Sequence, residues 1–401
     1  MSQGVRPGVQ GGFRQARRLD GIPPTIFTTM SALALRTGAV NLGQGFPDVD
    51  GPASVIAAAD RAMREGANQY APGPGVPALR QAIARHQQRH YGLELDPDRQ
   101  VVVTTGCTEG IAAALLGLVD AGDEIIVLEP YYDSYVAMIQ MCGGVRRPVT
   151  LRAPEFRLDA DELRAVAGPR TRFVLLNSPH NPTGTVLSRS ELQAVADLAI
   201  ERDLVVITDE VYEHLTFPDG TGSHEHVPIS TLPGMFERTL TLSSAGKSYS
   251  LTGWKVGWAT GPAELVGAVL AAKQWLTFTS GAPLQQAIAV ALDEEPEWPQ
   301  GLAGELRARR DLLCDGLAAL GLDVRRPEGT YFALSDISSL GWKDGMEFCL
   351  ALPERAGVVA IPAQPFHDSS AGDQLVRWAF CKEAGVIEEA LTRLSAGDLG
   401  R

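Results

Sequence analysis

The stretch TLTLSSAGKSYSLTGWKVGWATG, residues 239–261, joins two short strand-like runs by a connection that carries two lysines. Lys247 and Lys255 lie in this connection among small and hydroxyl side chains. The runs 239–244 and 256–261 are rich in β-branched and aromatic residues and are followed by serine or glycine, as strands commonly are. The stretch therefore predicts two strands, with both ammonium groups in the segment that follows the first.

Runs of the same kind recur through the middle of the chain, with helical patterns between them. They are VVVTT (101–105), EIIVLEP (124–130), RFVLLNSP (172–179) and LVVITDE (204–210). Short continuous apolar runs are typical of strands that are covered on both faces. The alternation of strand and helix predicts an α/β fold with a mostly parallel, helix-covered central sheet. From about residue 295 the two patterns mix, which indicates a second, smaller α+β domain.

Composition excludes several classes of protein. The chain has 401 residues, of which 45% are hydrophobic, and a net charge of −13, so we expect a sizeable core and no nucleic-acid partner. The N-terminus lacks the apolar centre of a signal peptide, and the longest apolar run, 111–119, is far below the ~20 residues of a membrane span. The five cysteines are scattered without C-x-x-C spacing, which predicts reduced thiols in a cytoplasmic protein.

Ligands of an open α/β sheet bind beyond the carboxyl ends of its strands. The residues that follow the predicted strands are therefore candidate site residues. They are Gly106, Cys107 and Thr108, Glu129–Tyr132, Asn177–Gly184, Asp209, Glu210 and Tyr212, and Ser243–Lys247. A lysine, an aspartate, an asparagine, a tyrosine and a glycine-led helix start are thus expected to face one crevice.

This set of groups suits one cofactor. A lysine in a desolvated crevice becomes the neutral amine that forms a Schiff base with an aldehyde. A second lysine and the start of a helix can hold a phosphate. An aspartate at a strand end keeps a pyridine nitrogen protonated. An aldehyde, a phosphate and a pyridinium together indicate pyridoxal 5′-phosphate.

Nine segments, in order, resemble the fold-type I pyridoxal-phosphate aminotransferases of class I/II. The resemblance is to the kynurenine/glutamine-transaminase-like branch, which includes actinobacterial N-succinyldiaminopimelate aminotransferases. The segments are NLGQGFPD (41–48), NQYAPGPGVPALR (68–80), VTTGCTEGI (103–111), EPYYDSY (129–135), LNSPHNPTG (176–184), ITDEVYEHL (207–215), SSAGKSYSLTGWKVGW (243–258), PEGTYF (327–332) and LVRWAFCK (375–382).

The resemblance implies a role for each matching residue. Lys247 matches the Schiff-base lysine that also moves the proton, and Asp209 matches the carboxylate beside the pyridine nitrogen. Arg377 matches the clamp on the substrate α-carboxylate, with the backbone of Gly43 as a donor beside it. The other matches are Tyr132 on the ring, Asn181 and Tyr212 at the phenolic oxygen, Asn181 and Phe278 in the substrate pocket, and Ser244, Lys255, Gly106, Cys107, Thr108 and Tyr70 at the phosphate.

In the family, Tyr70 and Phe278 come from a neighbouring subunit, so the resemblance implies a homodimer with shared active sites. Together with the composition, the resemblance divides the chain into four segments. The first is a mobile N-terminal tail (1–20), expected because these residues are rich in glycine and arginine and lack periodicity. The others are an arm with part of the small domain (21–50), a large pyridoxal-phosphate-binding domain (51–294) and a small C-terminal domain (295–401).

The implied activity is transfer of the amino group of an L-amino acid to a 2-oxo acid. Phe278 is followed by Thr279, where kynurenine-type members often carry a histidine, and the loop PDVDGP (47–52) agrees better with the diaminopimelate-type members. Both features favour N-succinyl-L,L-diaminopimelate, with glutamate and 2-oxoglutarate as the partner pair. The alternatives are a cysteine-conjugate β-lyase, an amino-acid oxidase or a specialised biosynthetic aminotransferase. A regulatory role is disfavoured because the chain has no basic DNA-binding segment.

One run of residues invites a metal interpretation. His224, Glu225 and His226 lie in a segment rich in glycine, aspartate and threonine, without a third ligand at usable spacing. We therefore predict a solvated loop there and no metal site.

Overall fold

The computed structural model describes residues 15–218 and 224–401, and the helices of this part of the chain are numbered in chain order. They are α1 (Ile26–Thr37), α2 (Ala53–Arg64), α3 (Pro77–Tyr91), α4 (Gly106–Leu118), α5 (Asp133–Met141), α6 (Ala160–Val166), α7 (Arg189–Arg202), α8 (Ala245–Ser248), α9 (Ala263–Lys273), α10 (Ala282–Glu294), α11 (Trp298–Ala319), α12 (Gly345–Ala356) and α13 (Ala384–Ala396).

The strands of the same part of the chain are numbered likewise. They are β1 (Val40–Asn41), β2 (Val101–Thr104), β3 (Glu124–Glu129), β4 (Val145–Thr150), β5 (Thr171–Asn177), β6 (Val205–Asp209), β7 (Thr239–Ser244), β8 (Gly257–Thr260), β9 (Asp323–Arg325), β10 (Phe332–Asp336), β11 (Val358–Val359), β12 (Ile361–Pro362) and β13 (Leu375–Ala379). Each of the six predicted runs between 101 and 261 forms a strand.

The central sheet has the strand order β2-β8-β7-β6-β5-β3-β4. All neighbours from β7 to β4 pair in parallel, and β8 is antiparallel to both β2 and β7. Every residue of β2, β3, β7 and β8 is buried, as expected for strands with both faces covered. The prediction of a mostly parallel central sheet is therefore confirmed.

Strand register brings the predicted site residues to one edge of this sheet. In the β5/β6 pair, Asn177 lies opposite Asp209, and in the β7/β8 pair, Ser244 lies opposite Gly257. These four residues lie at or next to the ends of their strands. Because the carboxyl ends of parallel strands meet at one edge, the segments that follow them converge.

The smaller domain is built around an antiparallel sheet with the order β12-β13-β10-β9. Strand β13 pairs with both β10 and β12, which places Arg377 opposite Leu334 on one side and Ile361 on the other. The N-terminal strand β1 pairs in parallel with β11, so the segment around Val40 packs with the C-terminal part of the chain.

Residues 1–14 of the predicted tail lie outside the described residues. The segment that follows them contacts the large domain: Arg17–Leu19 form a 3₁₀ turn, and Gln140 on α5 donates through Nε2 to the carbonyl oxygens of Arg18 and Asp20. None of the helices in the described part of the chain is long and apolar enough to cross a lipid bilayer.

Candidate active site

A cavity of about 240 Å³ lies at the carboxyl edge of the central sheet, between the two domains. The site residues predicted from the sequence that line it are Gly106, Cys107, Thr108, Tyr132, Asn181, Asp209, Tyr212, Ser244, Lys247, Lys255 and Arg377. Residues from six separate segments of the chain therefore meet in one place. Five of these segments follow strands of the central sheet, as the rule for strand ends predicts, and the sixth is Arg377 of the smaller domain.

Lys247 enters the cavity from the short helix α8, which begins directly after β7. Its Nζ lies 3.5 Å from the carbonyl oxygen of Gly45 and 5.5 Å from the centroid of the Tyr331 ring. Burial lowers the pKa of Lys247 to about 8, and the nearby charges of Lys255 and Arg377 act in the same direction. The neutral amine is thus populated near neutral pH, which is the form that attacks an aldehyde.

Asp209 ends β6 and is buried beneath the cavity. Its Oδ2 accepts a hydrogen bond of 2.6 Å from the Tyr135 hydroxyl, and its Oδ1 accepts one of 3.3 Å from the Val211 N–H. Desolvation raises the pKa of Asp209, and the Tyr135 hydrogen bond opposes this effect. Within residues 15–218 and 224–401 this carboxyl has no ion-pair partner at close range, so a protonated nitrogen of a ligand would be a favourable neighbour.

The first turn of α4 has the geometry of an anion seat. Gly106 has φ of +73°, and a Cβ at this position would lie 3.1 Å from the Nζ of Lys255. A Cβ on Gly257 would lie 2.6 Å from the carbonyl carbon of Gly106 and 2.7 Å from the amide nitrogen of Cys107. Because Gly106 and Gly257 lack side chains, the start of β8 and the side chain of Lys255 can both approach the N-terminus of α4 closely. Unpaired N–H groups and a positive charge at a helix start favour a phosphate.

Arg377 projects from β13 and is only 1% exposed. Its Nη1 donates to Oδ1 of Asn181 and its Nη2 to the carbonyl oxygen of Gly43, both at 3.0 Å. The guanidinium carbon lies 3.9 Å from the centroid of the Phe332 ring, and burial lowers the pKa of Arg377 to about 10. Two of the five N–H donors are used in these bonds, so others remain for a carboxylate.

Two of these contacts differ from the predicted arrangement. The sequence predicts Gly43 as a backbone donor beside Arg377, but the Gly43 N–H donates to Oδ1 of Asn41 at 2.9 Å, and it is the carbonyl that faces Arg377. Asn181, predicted as a donor to the cofactor, is also an acceptor for the guanidinium. Both residues therefore hold Arg377 in position.

Tyr131 and Tyr132 have different surroundings. Tyr132 lines the cavity, whereas Tyr131 is 3% exposed and donates through its hydroxyl to Oδ1 of Asp368 at 2.8 Å. Tyr212 is buried in the cavity wall, where desolvation raises its pKa.

Sequence reasoning missed several residues of this cavity. Tyr135 holds Asp209, and Tyr331 donates through its hydroxyl to the Gly45 carbonyl oxygen at 2.6 Å while its ring lies beside Lys247. The rings of Phe27 and Phe332 also line the cavity. Tyr135 and Tyr331 lie within the matching segments EPYYDSY and PEGTYF. The resemblance could therefore have identified both tyrosines as site residues, but it could not have identified the residues that they contact.

Tyr70 and Phe278 lie outside the cavity of their own chain. They form an edge-to-face pair with ring centroids 5.6 Å apart, and they are 85% and 47% exposed. Trp275, which is 83% exposed, lies close in sequence to Phe278. Large aromatic rings exposed together in this way are typical of a surface that binds another chain.

The family model of aminotransferases of class I and II matches residues 37–394. The chain belongs to this family. A probable N-succinyldiaminopimelate aminotransferase of Mycobacterium tuberculosis is 52% identical over 390 residues, which cover 94% of this chain and 97% of the relative. A methionine aminotransferase of Escherichia coli is 41% identical over 377 residues, again 94% and 97% of the two chains. The solved structure of the N-succinyldiaminopimelate aminotransferase from Mycobacterium tuberculosis is 51% identical, with a TM-score of 0.93, over 96% of this chain and 100% of that one.

The protein is therefore an aminotransferase of the pyridoxal-phosphate-dependent fold, and the predicted fold, activity and cofactor are confirmed. The cavity of this aminotransferase fits the cofactor by its own chemistry. The turn at Gly106, which glycines keep open, suits a phosphate. The buried carboxyl of Asp209 forms no ion pair with any described residue and suits a pyridinium. The amine of Lys247, with its lowered pKa, suits an aldehyde.

Proposed function

We propose that this aminotransferase acts on N-succinyl-L,L-diaminopimelate and exchanges the amino group with the glutamate/2-oxoglutarate pair. The observation that carries the proposal is the 52% identity, over nearly the whole chain, to a probable N-succinyldiaminopimelate aminotransferase. Thr279, in place of the aromatic-pocket histidine of kynurenine-type enzymes, supports it because an aromatic donor loses a ring contact. Its Oγ1 lies 3.4 Å from the carbonyl oxygen of Pro72.

The cofactor, when bound, supplies an aldehyde for the amino group and a protonated ring that accepts electrons. In the proposed arrangement Lys247 would bind the aldehyde group, Asp209 would hold the ring nitrogen, and Tyr132 would contact the ring. Asn181 and Tyr212 would bind the phenolic oxygen. The phosphate would be held by Ser244, Lys255, Gly106, Cys107 and Thr108.

In this proposal Lys247 is also the group that moves the proton. Its pKa of about 8 lies near the working pH, so the amine accepts a proton from the substrate carbon and returns it at small cost. The Gly45 carbonyl oxygen and the rings of Tyr212 and Tyr331 surround its Nζ and keep it in the cavity.

Arg377 binds the α-carboxylate of both substrates in this proposal. The Asn181 and Gly43 oxygens fix the plane of its guanidinium, and the Phe332 ring covers one face of it. A planar fork held in this way binds a carboxylate by two parallel hydrogen bonds.

The active form in this proposal is a homodimer in which Tyr70 and Phe278 complete the partner's site. The exposed edge-to-face pair that these two rings form supports it, since neither reaches the cavity of its own chain. The proposed location is the cytoplasm, since the five cysteines are free thiols and four of them are buried.

The donor is tested by single half-reactions. Purified holoenzyme is mixed with one L-amino acid at a time, without any 2-oxo acid, and the loss of the visible cofactor absorbance is followed. We expect N-succinyl-L,L-diaminopimelate and glutamate to react faster than methionine or kynurenine, and 2-oxoglutarate to restore the absorbance. A faster reaction with methionine or kynurenine would refute the proposed donor. Ammonia with pyruvate or peroxide from a donor, without an acceptor, would instead identify the lyase or oxidase alternative.

The shared site is tested by mixing two inactive variants. In a hybrid of Tyr70→Ala and Lys247→Ala chains, one of the two shared sites carries both changes and the other carries neither. An equal mixture that exchanges subunits should therefore regain about a quarter of the wild-type activity. If each site belonged to one chain, every site in the hybrid would keep one change, and no activity would return.

A further inference from the structure

Three histidines form a cluster away from the active-site cavity. His86 and His90 lie one turn apart on α3, and His214 lies in the turn that follows β6. The ring centroids of the three are 4.6, 4.8 and 4.9 Å apart, so they form a nearly equilateral triangle. One ligand nitrogen of each lies within 4.8 Å of the other two.

This geometry is close to that of a metal site. Two histidines at positions i and i+4 of a helix face the same side, an arrangement that metalloproteins use for zinc. The Nε2 atoms of His86 and His214 are 2.7 Å apart. Three imidazoles at 2.0–2.1 Å from a tetrahedral ion place their nitrogens about 3.3 Å apart, so these two rings need to separate by about 0.6 Å.

The electrostatic setting also suits a cation. Glu213, between Tyr212 and His214 in the chain, is 5% exposed. Its carboxylate accepts hydrogen bonds from the hydroxyls of Tyr91 at 2.6 Å and Ser243 at 2.5 Å. Among the described residues it forms no ion pair within 4 Å. A buried carboxylate held only by neutral hydroxyls lacks a counter-charge, and a bound cation nearby would provide one.

An ion has a path to the cluster. His90 is exposed, and His90 and His214 line a surface cavity of about 390 Å³ that also contains Glu297. The exposed carboxylate of Glu297 attracts cations, although Arg307 in the same lining opposes it, and the cavity has room for a water molecule as the fourth ligand. The structure thus has ligands, counter-charge and an entry path at one place.

We propose that His86, His90 and His214 form a site for a divalent transition-metal ion of the zinc type. The ion joins α3 to the turn after β6, and three neutral nitrogens with an open fourth position bind it. The site is separate from the cofactor cavity and does not depend on the proposed donor.

The predicted loop at His224–His226 is not this site. The side chain of His226, predicted to be solvated, is only 3% exposed, and its Nε2 lies 2.9 Å from Oε2 of Glu210. For His226 the prediction was wrong because this side chain packs against the residue that follows β6, whereas Glu225 is exposed as predicted.

The test is a zinc titration of tag-free holoenzyme that has been treated with a chelator and freed of excess cofactor. Zinc is added in competition with a chromogenic zinc indicator. We expect one ion per wild-type chain. The His90→Ala variant, whose changed residue is exposed and touches no part of the active site, should bind zinc at least about tenfold more weakly. His224→Ala, which removes a histidine outside the cluster, should bind like the wild type.

Equal zinc affinity of His90→Ala and wild type, or no competition with the indicator, would overturn the proposal. In that case the 2.7 Å contact is a hydrogen bond between two neutral imidazoles. A crystal soaked in zinc gives an independent test. Anomalous scattering at the zinc edge should show one peak between the three histidine rings. If peaks appeared only at other places in the protein, they would contradict the assignment.

Discussion

Replacing Gly257 by alanine should weaken cofactor binding through a backbone contact. Gly257 begins β8 and pairs with Thr104 on one side and Ser244 on the other. An added Cβ would lie 2.6 Å from the carbonyl carbon of Gly106 and 2.7 Å from the amide nitrogen of Cys107. Both atoms belong to the first turn of α4, which we propose as the phosphate seat.

The size of the effect follows from that distance. Ordinary contact begins near 3.4 Å, so the turn at Gly106 has to move by about 0.8 Å. Overpacking of this kind costs about 1–3 kcal/mol. The enzyme without cofactor relieves the contact by moving the turn, whereas the bound phosphate requires the turn in place. Most of the cost therefore falls on the cofactor complex, and 1–3 kcal/mol corresponds to an increase of about five- to 150-fold in the cofactor dissociation constant.

The assay is the dissociation constant of pyridoxal 5′-phosphate, measured by absorbance after equilibrium dialysis. Gly253→Ala is the matched control, since Gly253 lies in the same connection and a Cβ there meets nothing within 4 Å. We expect the control to bind the cofactor like the wild type. Equal cofactor affinity of the Gly257→Ala and Gly253→Ala variants would refute the assignment of this turn as the phosphate seat.

Three further predictions concern the side chains of the cavity. Lys247→Ala should abolish turnover and leave the fold intact, and a variant that kept more than about a tenth of the wild-type rate would contradict the proton-transfer role. Arg377→Lys should lower kcat/KM for both substrates by about 10- to 150-fold, as expected when a charge-assisted hydrogen bond of 1.5–3 kcal/mol is lost, and an unchanged kcat/KM would exclude the clamp. Because burial lowers the pKa of Lys247 from 10.5 to about 8, the unfolded chain binds more protons between these values. The cofactor-free wild type should therefore gain unfolding free energy relative to Lys247→Met as the pH rises from about 8 to 10, measured by urea unfolding, and a loss would reverse the inferred shift.

Sequence periodicity was sufficient for the sheet and for most of the cavity. The continuous apolar runs identified the buried strands, and the rule for strand ends then selected Asp209, Lys247 and the turn at Gly106 without any structure. Arg377 was different. It lies in the middle of β13 in the other domain, so strand ends do not indicate it, and only the motif LVRWAFCK did.

What sequence patterns did not predict are contacts between distant segments. Tyr135 binds Asp209 across 74 positions of the chain, and Tyr331 reaches Gly45 across 286. Tertiary packing determines both contacts: α5 packs beside the end of β6 within the large domain, and the N-terminal arm packs against the small domain. The local sequence pattern contains no information about either contact. The histidine cluster is similar, because His86 and His214 are 128 positions apart. The i, i+4 spacing of His86 and His90 on α3 is a weak sequence signal, but the third ligand depends on how the turn after β6 lies beside that helix.

The turn after β6 contributes consecutive residues to two places, the cofactor cavity and the histidine cluster. Tyr212 lines the cavity, Glu213 is held by the Tyr91 and Ser243 hydroxyls, and His214 contacts His86. If His214 moves by about 0.6 Å to fit an ion, Tyr212 moves only if the backbone of Glu213 moves as well. Two short hydrogen bonds fix that carboxylate to the last residue of α3 and to the buried strand β7. Because these bonds oppose the shift at Glu213, an ion in the cluster is expected to stabilise the contact between α3 and the turn after β6 more than it alters the cavity.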